Sequence, residues 1–186
     1  LEKVKETHPA LIEELTPGLL SLGAIQKVLK KLLRERIPIR DLVAILETLA
    51  DHATSTKNLD VLTEYVRHAL APTITRQFLS QDGAIYAFVL DPVLERHLLH
   101  QAEAGELHPS TLGLEPRQAD RLLKEADRLT KRMLSEGRPP ILLTSPVLRP
   151  VLYSFLTPSV SDLNILSYND LLPDVRVEVV EQLRLP

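Results

Sequence analysis

The sequence predicts a protein of class α + α/β, with an all-helical subdomain over residues 1–80 and a small α/β subdomain over residues 81–186. Up to about residue 80, apolar residues recur at three- and four-residue steps, which is the spacing of amphipathic helices. After Gly83, strand-like and helical segments alternate, a pattern typical of a mostly parallel sheet, here of about four strands. The helical spacing in the first part and the alternation of segments in the second part are the basis of the predicted fold class.

The first half begins with a short helix after Pro9, which Pro17 and Gly18 interrupt. A long helix follows, and its apolar stripe is expected to comprise Leu22, Ile25, Val28, Leu29, Leu32 and Leu33. We expect Pro38 to end this helix and to open the next one at its first position, with almost no loop between them. Asp41 would then lie in the first turn of the next helix, where the helix dipole favours a negative charge.

Two further helices complete the helical part. The second long helix carries an apolar face of Leu42, Ile45, Leu46 and Leu49. Asn58 follows a polar turn and is a predicted N-cap of the third helix. Pro72 lies inside the apolar pattern of this third helix, so we expect a kink or a break near Leu70.

In the second half, the segments 84–90, 141–143, 163–166 and 175–179 are predicted strands. The last of them alternates between apolar and charged residues, as a half-exposed edge strand does. Helices are predicted over residues 92–104, 116–136 and 145–156. Gly105 and Gly137 end the first two of these helices.

The composition excludes several classes of protein. Hydrophobic residues form 44% of the chain and charged residues 25%, as in an ordinary globular protein. A net charge of −3 gives no electrostatic reason to expect nucleic-acid binding. The absence of cysteine excludes thiol catalysis, disulfides and cysteine-based zinc sites within the chain. No stretch of the chain is long enough to span a bilayer. Since the chain opens on Leu1 rather than Met, we expect a piece of a longer protein, which leaves room for a membrane anchor upstream.

Catalytic and metal-binding motifs are almost absent. The sequence contains no P-loop and no nucleotide-binding or hydrolase glycine motif. His97, His100 and Glu103 recur at one-turn spacing and resemble zinc ligands, but a solvated helix face explains them better. Ser145 is interpreted as a helix N-cap rather than a nucleophile. We therefore predict no catalytic residue, no metal and no cofactor.

One competing interpretation is a small α/β ligand-binding or enzymatic domain. Its pocket would lie at the carboxyl ends of the strands. The polar residues available there are Asp91, Thr144, Ser145, Ser167, Tyr168 and Asn169. They include neither a general base nor a phosphate-binding loop, which makes this interpretation the weaker one.

Charged residues of the first two long helices form the candidate contact surface. Lys27, Lys30, Lys31, Arg34 and Arg36 give the first long helix a basic face, and the acids Asp41, Glu47 and Asp51 lie nearby. Opposite charges of this kind can meet across head-to-tail contacts in a ring of identical copies. The candidate interface residues are Lys27, Lys31, Arg34, Arg40, Asp41 and Glu47.

The stretch 22–51 and the block Thr63-Glu64-Tyr65-Val66-Arg67 resemble the FHIPEP family of type III secretion export-gate proteins. The segments 139–146 and 166–169 extend the resemblance over nearly the whole chain. These sequence motifs are closer to the flagellar branch of the family than to the virulence branch. Membership of the virulence branch is the alternative interpretation. Pro38 and Pro72 depart from the family pattern.

This resemblance implies a function without catalysis. Family members have a membrane region followed by a cytoplasmic region of several subdomains, and this chain resembles the last two. The resemblance implies a nine-membered ring at the cytoplasmic face of the bacterial inner membrane, with much of the contact made by the helical subdomain. The implied partners are other copies of the chain, export chaperones with their cargo and other export apparatus proteins. The chaperone groove would lie mainly upstream of this chain.

Overall fold

Helices build the first of two units, which ends at Gln77, and a sheet organises the second, which begins at Phe78. The structure is a computed structural model that describes residues 2–185. The helices of the first unit are α1 (Glu2–Thr7), α2 (Pro9–Glu14), α3 (Leu22–Arg34), α4 (Leu42–Ala53), α5 (Leu59–Ala69) and α6 (Ala71–Phe78). A π-helical turn, Leu15–Leu19, separates α2 from α3.

Side-chain caps define two of the helix starts in this unit. The Ser21 hydroxyl accepts a hydrogen bond from the Ala24 amide at 3.2 Å and opens α3. Asn58 Oδ1 accepts one from the Asp60 amide at 2.9 Å and opens α5, which confirms the predicted N-cap. The predicted break near Leu70 is also confirmed, because α5 ends at Ala69 and α6 begins at Ala71.

The prediction that α3 and α4 meet at Pro38 is wrong. The helix α3 already ends at Arg34, and Arg36 adopts a left-handed conformation with φ of 61°. The Ile37 amide then donates to the Leu32 carbonyl at 2.9 Å, the closing bond of a Schellman motif. Asp41 is the N-cap of α4 rather than a first-turn residue, since its Oδ1 accepts from the Ala44 amide at 3.1 Å. Residues 35–41 are therefore a defined connection.

The second unit is a two-layer α/β fold. Its elements are β1 (Ala84–Leu90), α7 (Pro92–Glu103), α8 (Pro116–Ser135), β2 (Ile141–Thr144), α9 (Arg149–Leu156), β3 (Asn164–Ser167) and β4 (Arg176–Leu183). The strand order is β3-β2-β1-β4, and each neighbouring pair is parallel. The predicted α + α/β class is confirmed. The last helix starts later than expected, because Ser145 caps the preceding turn by accepting from the Leu148 amide at 3.4 Å.

One apolar core joins the three helices of this unit to one face of the sheet. Leu98 of α7, Leu122 of α8 and Leu152 of α9 belong to it, as do Phe88 of β1 and Leu142 of β2. All three helices therefore pack on the face of the sheet that carries Phe88.

The edge strand β4 contains a bulge. Val179 lies opposite Ala87 and Glu181 lies opposite Phe88, so Val180 is an extra residue. Since paired residues share a face of the sheet, the bulge turns Glu181 toward α8. The Glu181 carboxylate there pairs with Arg128 at 2.9 Å and with Arg132.

The connection from β3 to β4 is short for a crossover between parallel strands. It comprises residues 168–175 and begins with a 3₁₀ turn, Tyr168–Asp170. It must pass both β2 and β1 and return to the amino end of the sheet, because β4 is parallel to β1. Crossovers between parallel strands usually need a dozen or more residues.

Candidate functional site

The predicted contact residues lie on α3, on α4 and in the connection between these helices. Lys27, Arg34, Arg40 and Glu47 are exposed. Asp41 is exposed as well, but its carboxylate already caps α4. These positions establish no contact between any two of the six predicted residues. Their role as an interface stays a prediction.

Lys31 is engaged within the chain. Its ammonium group forms an ion pair with the Asp60 carboxylate in the first turn of α5. Both side chains are partly exposed, so the pair contributes only about 0–1 kcal/mol to stability. Its main effect is to neutralise one charge of the basic face.

Exposed leucines extend this surface in a way that periodicity alone does not indicate. Leu22 is 63% exposed and Leu33 is 53% exposed, although the spacing predicts both in the buried stripe. The core positions of α3 are Ile25, Val28 and Leu32. A separation of eleven residues puts Leu22 and Leu33 on one flank of the helix, beside the stripe.

A buried ion pair fixes the end of α3 against α5. The Arg67 guanidinium is 1% exposed and pairs with the Glu35 carboxylate, which follows α3 directly. Removing one member of such a pair leaves an uncompensated buried charge. The sequence offered only a weak signal for this pair, because arginine in the last turn of a helix is usually solvated.

A stacked pair of rings joins α4 to α5 next to this feature. The rings of His52 and Tyr65 lie parallel, with centroids 3.7 Å apart and planes inclined by 4°. Tyr65 keeps part of its ring exposed. The block Thr63-Glu64-Tyr65-Val66-Arg67 therefore contains both the stacking residue and the buried arginine.

The polar residues at the carboxyl ends of the strands mostly serve the fold. Asp91 Oδ1 accepts from the Val93 amide at 2.9 Å and caps α7. Thr144 and Ser167 are buried, and the Ser167 amide donates to Asp170 at 2.8 Å. Tyr168 is exposed, and partial burial together with the nearby Glu95 carboxylate raises the pKa of its phenol.

The weak metal candidate on α7 is not assembled into a site. His97 and His100 are exposed, and His97 Nε2 lies 3.1 Å from the side-chain nitrogen Nε2 of Gln101. Within residues 2–185, no group of three or more histidine or acidic side chains is placed to hold a metal ion. Over the same residues, no helix has the length and apolar character needed to cross a membrane.

Solved structures share the architecture of both units. The structure of the Chlamydia pneumoniae CdsV and CdsO protein complex gives a TM-score of 0.84 at 30% sequence identity, over 98% of this chain and 52% of that one. The nonameric EPEC SctV-C structure gives a TM-score of 0.81 over 97% of this chain and 54% of that one. Its sequence identity of 22% makes that likeness one of fold alone. The nonameric EscV cytosolic domain from the type III secretion system shares the fold as well, with a TM-score of 0.79.

Sequence comparison gives the family. The FHIPEP family model matches residues 1–176. The flagellar biosynthesis protein FlhA of Bacillus subtilis (strain 168) is 37% identical over 180 residues, and that of Salmonella typhimurium (strain LT2) is 41% identical over 167 residues. The chain belongs to the FHIPEP family, as the resemblance of its sequence motifs had predicted. These alignments cover 97% and 90% of the chain but only 26% and 23% of the relatives, so the chain spans about a quarter of their length.

Proposed function

We propose that the chain is a cytoplasmic part of a flagellar type III export gate, a platform without catalytic activity that assembles into a nine-membered ring. Family membership and the similarity to FlhA support the flagellar assignment. The solved SctV-C assembly, which shares the fold, is nonameric and supports a ring of nine copies. The parent protein would be anchored in the inner membrane by segments outside this chain.

The observation that carries the ring proposal is the surface of the helical unit. Leu22 and Leu33 are largely exposed on α3, a helix that also carries the exposed charges of Lys27 and Arg34. Exposed leucines beside solvated charges are typical of a contact with an apolar centre and a polar rim. We assign this surface of α3 to one side of the head-to-tail contact between neighbouring copies, with Arg40 and Glu47 as candidate residues of the facing side.

Partner docking forms the second part of the proposal. The platform would receive export chaperones with their cargo and would help to order their export, with the chaperone groove mainly upstream of this chain. Other export apparatus proteins are further proposed partners, and the solved complex of CdsV with CdsO supports a contact with a second kind of protein. A pull-down of export chaperones that succeeds with the longer cytoplasmic region and fails with residues 1–186 is the expected result, whereas equal capture would move the groove into this chain.

Cysteine crosslinking in membranes tests the ring. The chain itself contains no cysteine, so Lys27→Cys together with Glu47→Cys in the full-length protein reports on this surface. We expect a ladder of crosslinked species up to nine copies, and a strong reduction when Leu33→Ser is added. Leu134→Ser is the matched control, since Leu134 is an exposed leucine of α8 in the other unit. An unchanged ladder in the Leu33 variant would contradict the assignment of this surface.

A further inference from the structure

The order of the strands reverses between β1 and β4, and the place outside the carboxyl ends of these two strands is called the crevice below. The strands β1, β2 and β3 follow one another across the sheet in one direction, whereas β4 lies on the opposite side of β1. In open parallel sheets, ligands bind outside the carboxyl ends of the strands at the point where the order reverses. At this point Leu90 pairs with Leu183, and the Asp91 amide donates to the Leu183 carbonyl at 2.9 Å.

A cavity of about 360 Å³ opens at this place. Its aliphatic walls are Val93 and Leu94 of α7, Leu114 ahead of α8 and Leu185 after β4. Ligand pockets usually span about 300–1,000 Å³, so this volume suits one or two side chains rather than a large cofactor.

The polar part of the lining is small. It consists of Asp91, His97 and Gln118. Asp91 Oδ2 forms an ion pair with Arg184 Nε at 3.7 Å, longer than a hydrogen bond, and the Arg184 side chain is 67% exposed, so a cation in the cavity would compete with Arg184 for this carboxylate. Among the described residues that line the cavity there is neither lysine nor arginine. The cavity is therefore complementary to an aliphatic group that adjoins a positive charge.

The rim supports a peptide as the occupant. Val93 is 66% exposed at the entrance, in the first turn of α7. An exposed apolar side chain beside an open cavity offers contact to a chain that passes over the rim while one of its side chains enters. We propose that this crevice binds a segment of a partner protein in which leucine or isoleucine adjoins lysine or arginine. The aliphatic side chain fills the cavity, and the cation pairs with Asp91.

The site belongs to the α/β unit, whereas the proposed ring surface belongs to the helical unit. It can be tested on the isolated chain whether or not copies of the chain assemble, so failure of the ring proposal leaves it unaffected. The probe is the peptide acetyl-Gly-Leu-Lys-Leu-Gly-amide, titrated into ¹⁵N-labelled chain 1–186. We expect amide shifts at Val93, Leu94 and Leu114, with a Kd of about 1 mM or tighter. A peptide with glutamate in place of lysine, and one with serine in place of both leucines, should bind at least about fivefold more weakly.

Two variants locate the binding. Asp91→Asn keeps an oxygen that can cap α7 but removes the charge, and we expect about tenfold weaker binding. Val93→Ser should also weaken binding without affecting the fold, because Val93 is exposed. Val147→Ser is the matched control at a valine that is 60% exposed after β2, outside the cavity, and it should bind as the wild type does. Equal affinity of the lysine and glutamate peptides, unchanged binding by Asp91→Asn and Val93→Ser, or the absence of shifts in the crevice at about 5 mM peptide would each overturn the proposal.

Discussion

In the helical unit, α3 is followed by Arg36 in the left-handed conformation, next to Glu35, whose carboxylate pairs with the buried Arg67. In the α/β unit, α7 and α8 are followed by Gly105 and Gly137 in the left-handed conformation, and the ion pairs of α8 lie at the surface. A buried pair dictates one path of the chain, because any other path leaves a charge unpaired in a dry environment. Surface pairs and glycines permit a path at little cost and enforce it weakly. The difference indicates that the turn after α3 is the more strictly specified of the two kinds of helix end.

Among the tests of this contrast, Arg67→Met is expected to cause the largest loss of stability. The substitution leaves the Glu35 carboxylate buried without its guanidinium, and we expect a loss of about 3–5 kcal/mol in the free energy of unfolding. Urea denaturation followed through NMR signals of α5 measures the loss in the helical unit itself. Arg34→Met, which removes an exposed guanidinium of α3, is the control and should change stability by less than about 0.5 kcal/mol. Similar losses in both variants would remove the contrast between buried and exposed charge.

Gly113→Ala tests how strongly a glycine specifies the α/β unit. Gly113 has φ of 64°, and an added Cβ would overlap the Gln101 carboxamide. We expect a loss of about 1–3 kcal/mol from the left-handed backbone and the displaced side chain. Gly137→Ala, with φ of 71° and open space around it, should lose only about 1–2 kcal/mol. The double variant Gly113→Ala with Gln101→Ala should remove the overlap, and its failure to recover any stability would show that the backbone accounts for the whole loss.

Glu181→Gln tests the surface network of the α/β unit. The carboxylate pairs with two partly exposed arginines, so its neutralisation should cost about 1 kcal/mol or less at low salt. The difference from the wild type should shrink further in about 1 M NaCl, where charges are screened within a few ångströms. The loss caused by Arg67→Met should persist in the same salt, because buried charges are screened far less. Equal salt dependence of the two losses would contradict the comparison.

Tyr86→Phe gives the smallest effect, a shift in one titration. The Tyr86 hydroxyl donates to Asp82 at 2.7 Å, and this bond, followed by the Ala84 amide contact and the Arg176 charge, holds the pKa of Asp82 below its ordinary value of 3.8. Removing the hydroxyl should raise the pKa of Asp82, which carboxyl NMR titration measures. Because the folded-state pKa is depressed, the stabilisation is present above the ordinary value and is lost as the pH falls through the folded-state pKa. Tyr153→Phe in α9 is the control and should leave the pKa of Asp82 unchanged.

The sequence predicted most of the elements because their signals are local. The N-cap at Asn58, the break near Leu70 and the strand Ala84–Leu90 follow from a few neighbouring residues. Long-range features gave no such signal. The pairing of Arg67 with Glu35 and the bulge at Val180 depend on which elements meet in space.

The candidate surface was predicted in part. Exposure of charges on α3 follows from periodicity, but the exposure of Leu22 and Leu33 depends on how wide a face the neighbouring helices cover. Pro38 misled the prediction for the start of α4, since a proline indicates a break more reliably than it indicates where the next helix begins. The cavity beside Asp91 depends on the strand order, which the succession of elements leaves open.

The connection between β3 and β4 is close to the shortest that can span the distance between these strands. Ser167 is level with Leu90 through β2, and Arg176 is level with Ala84. Three strand spacings of about 4.8 Å and six residues of about 3.3 Å separate the two ends by roughly 25 Å. Nine steps of at most about 3.5 Å reach roughly 31 Å, and the 3₁₀ turn, which rises only about 2 Å per residue, shortens that reach.

The length of the segment 168–175 therefore sets the register in which β4 pairs with β1. Loss of one of its residues would pull β4 out of its present alignment with β1, and a slip of one position exchanges the two faces of a strand. Glu181 would then point away from Arg128 and Arg132. The length of an apparently featureless loop thus decides which side of the sheet receives the charge of Glu181, inside a strand of eight residues.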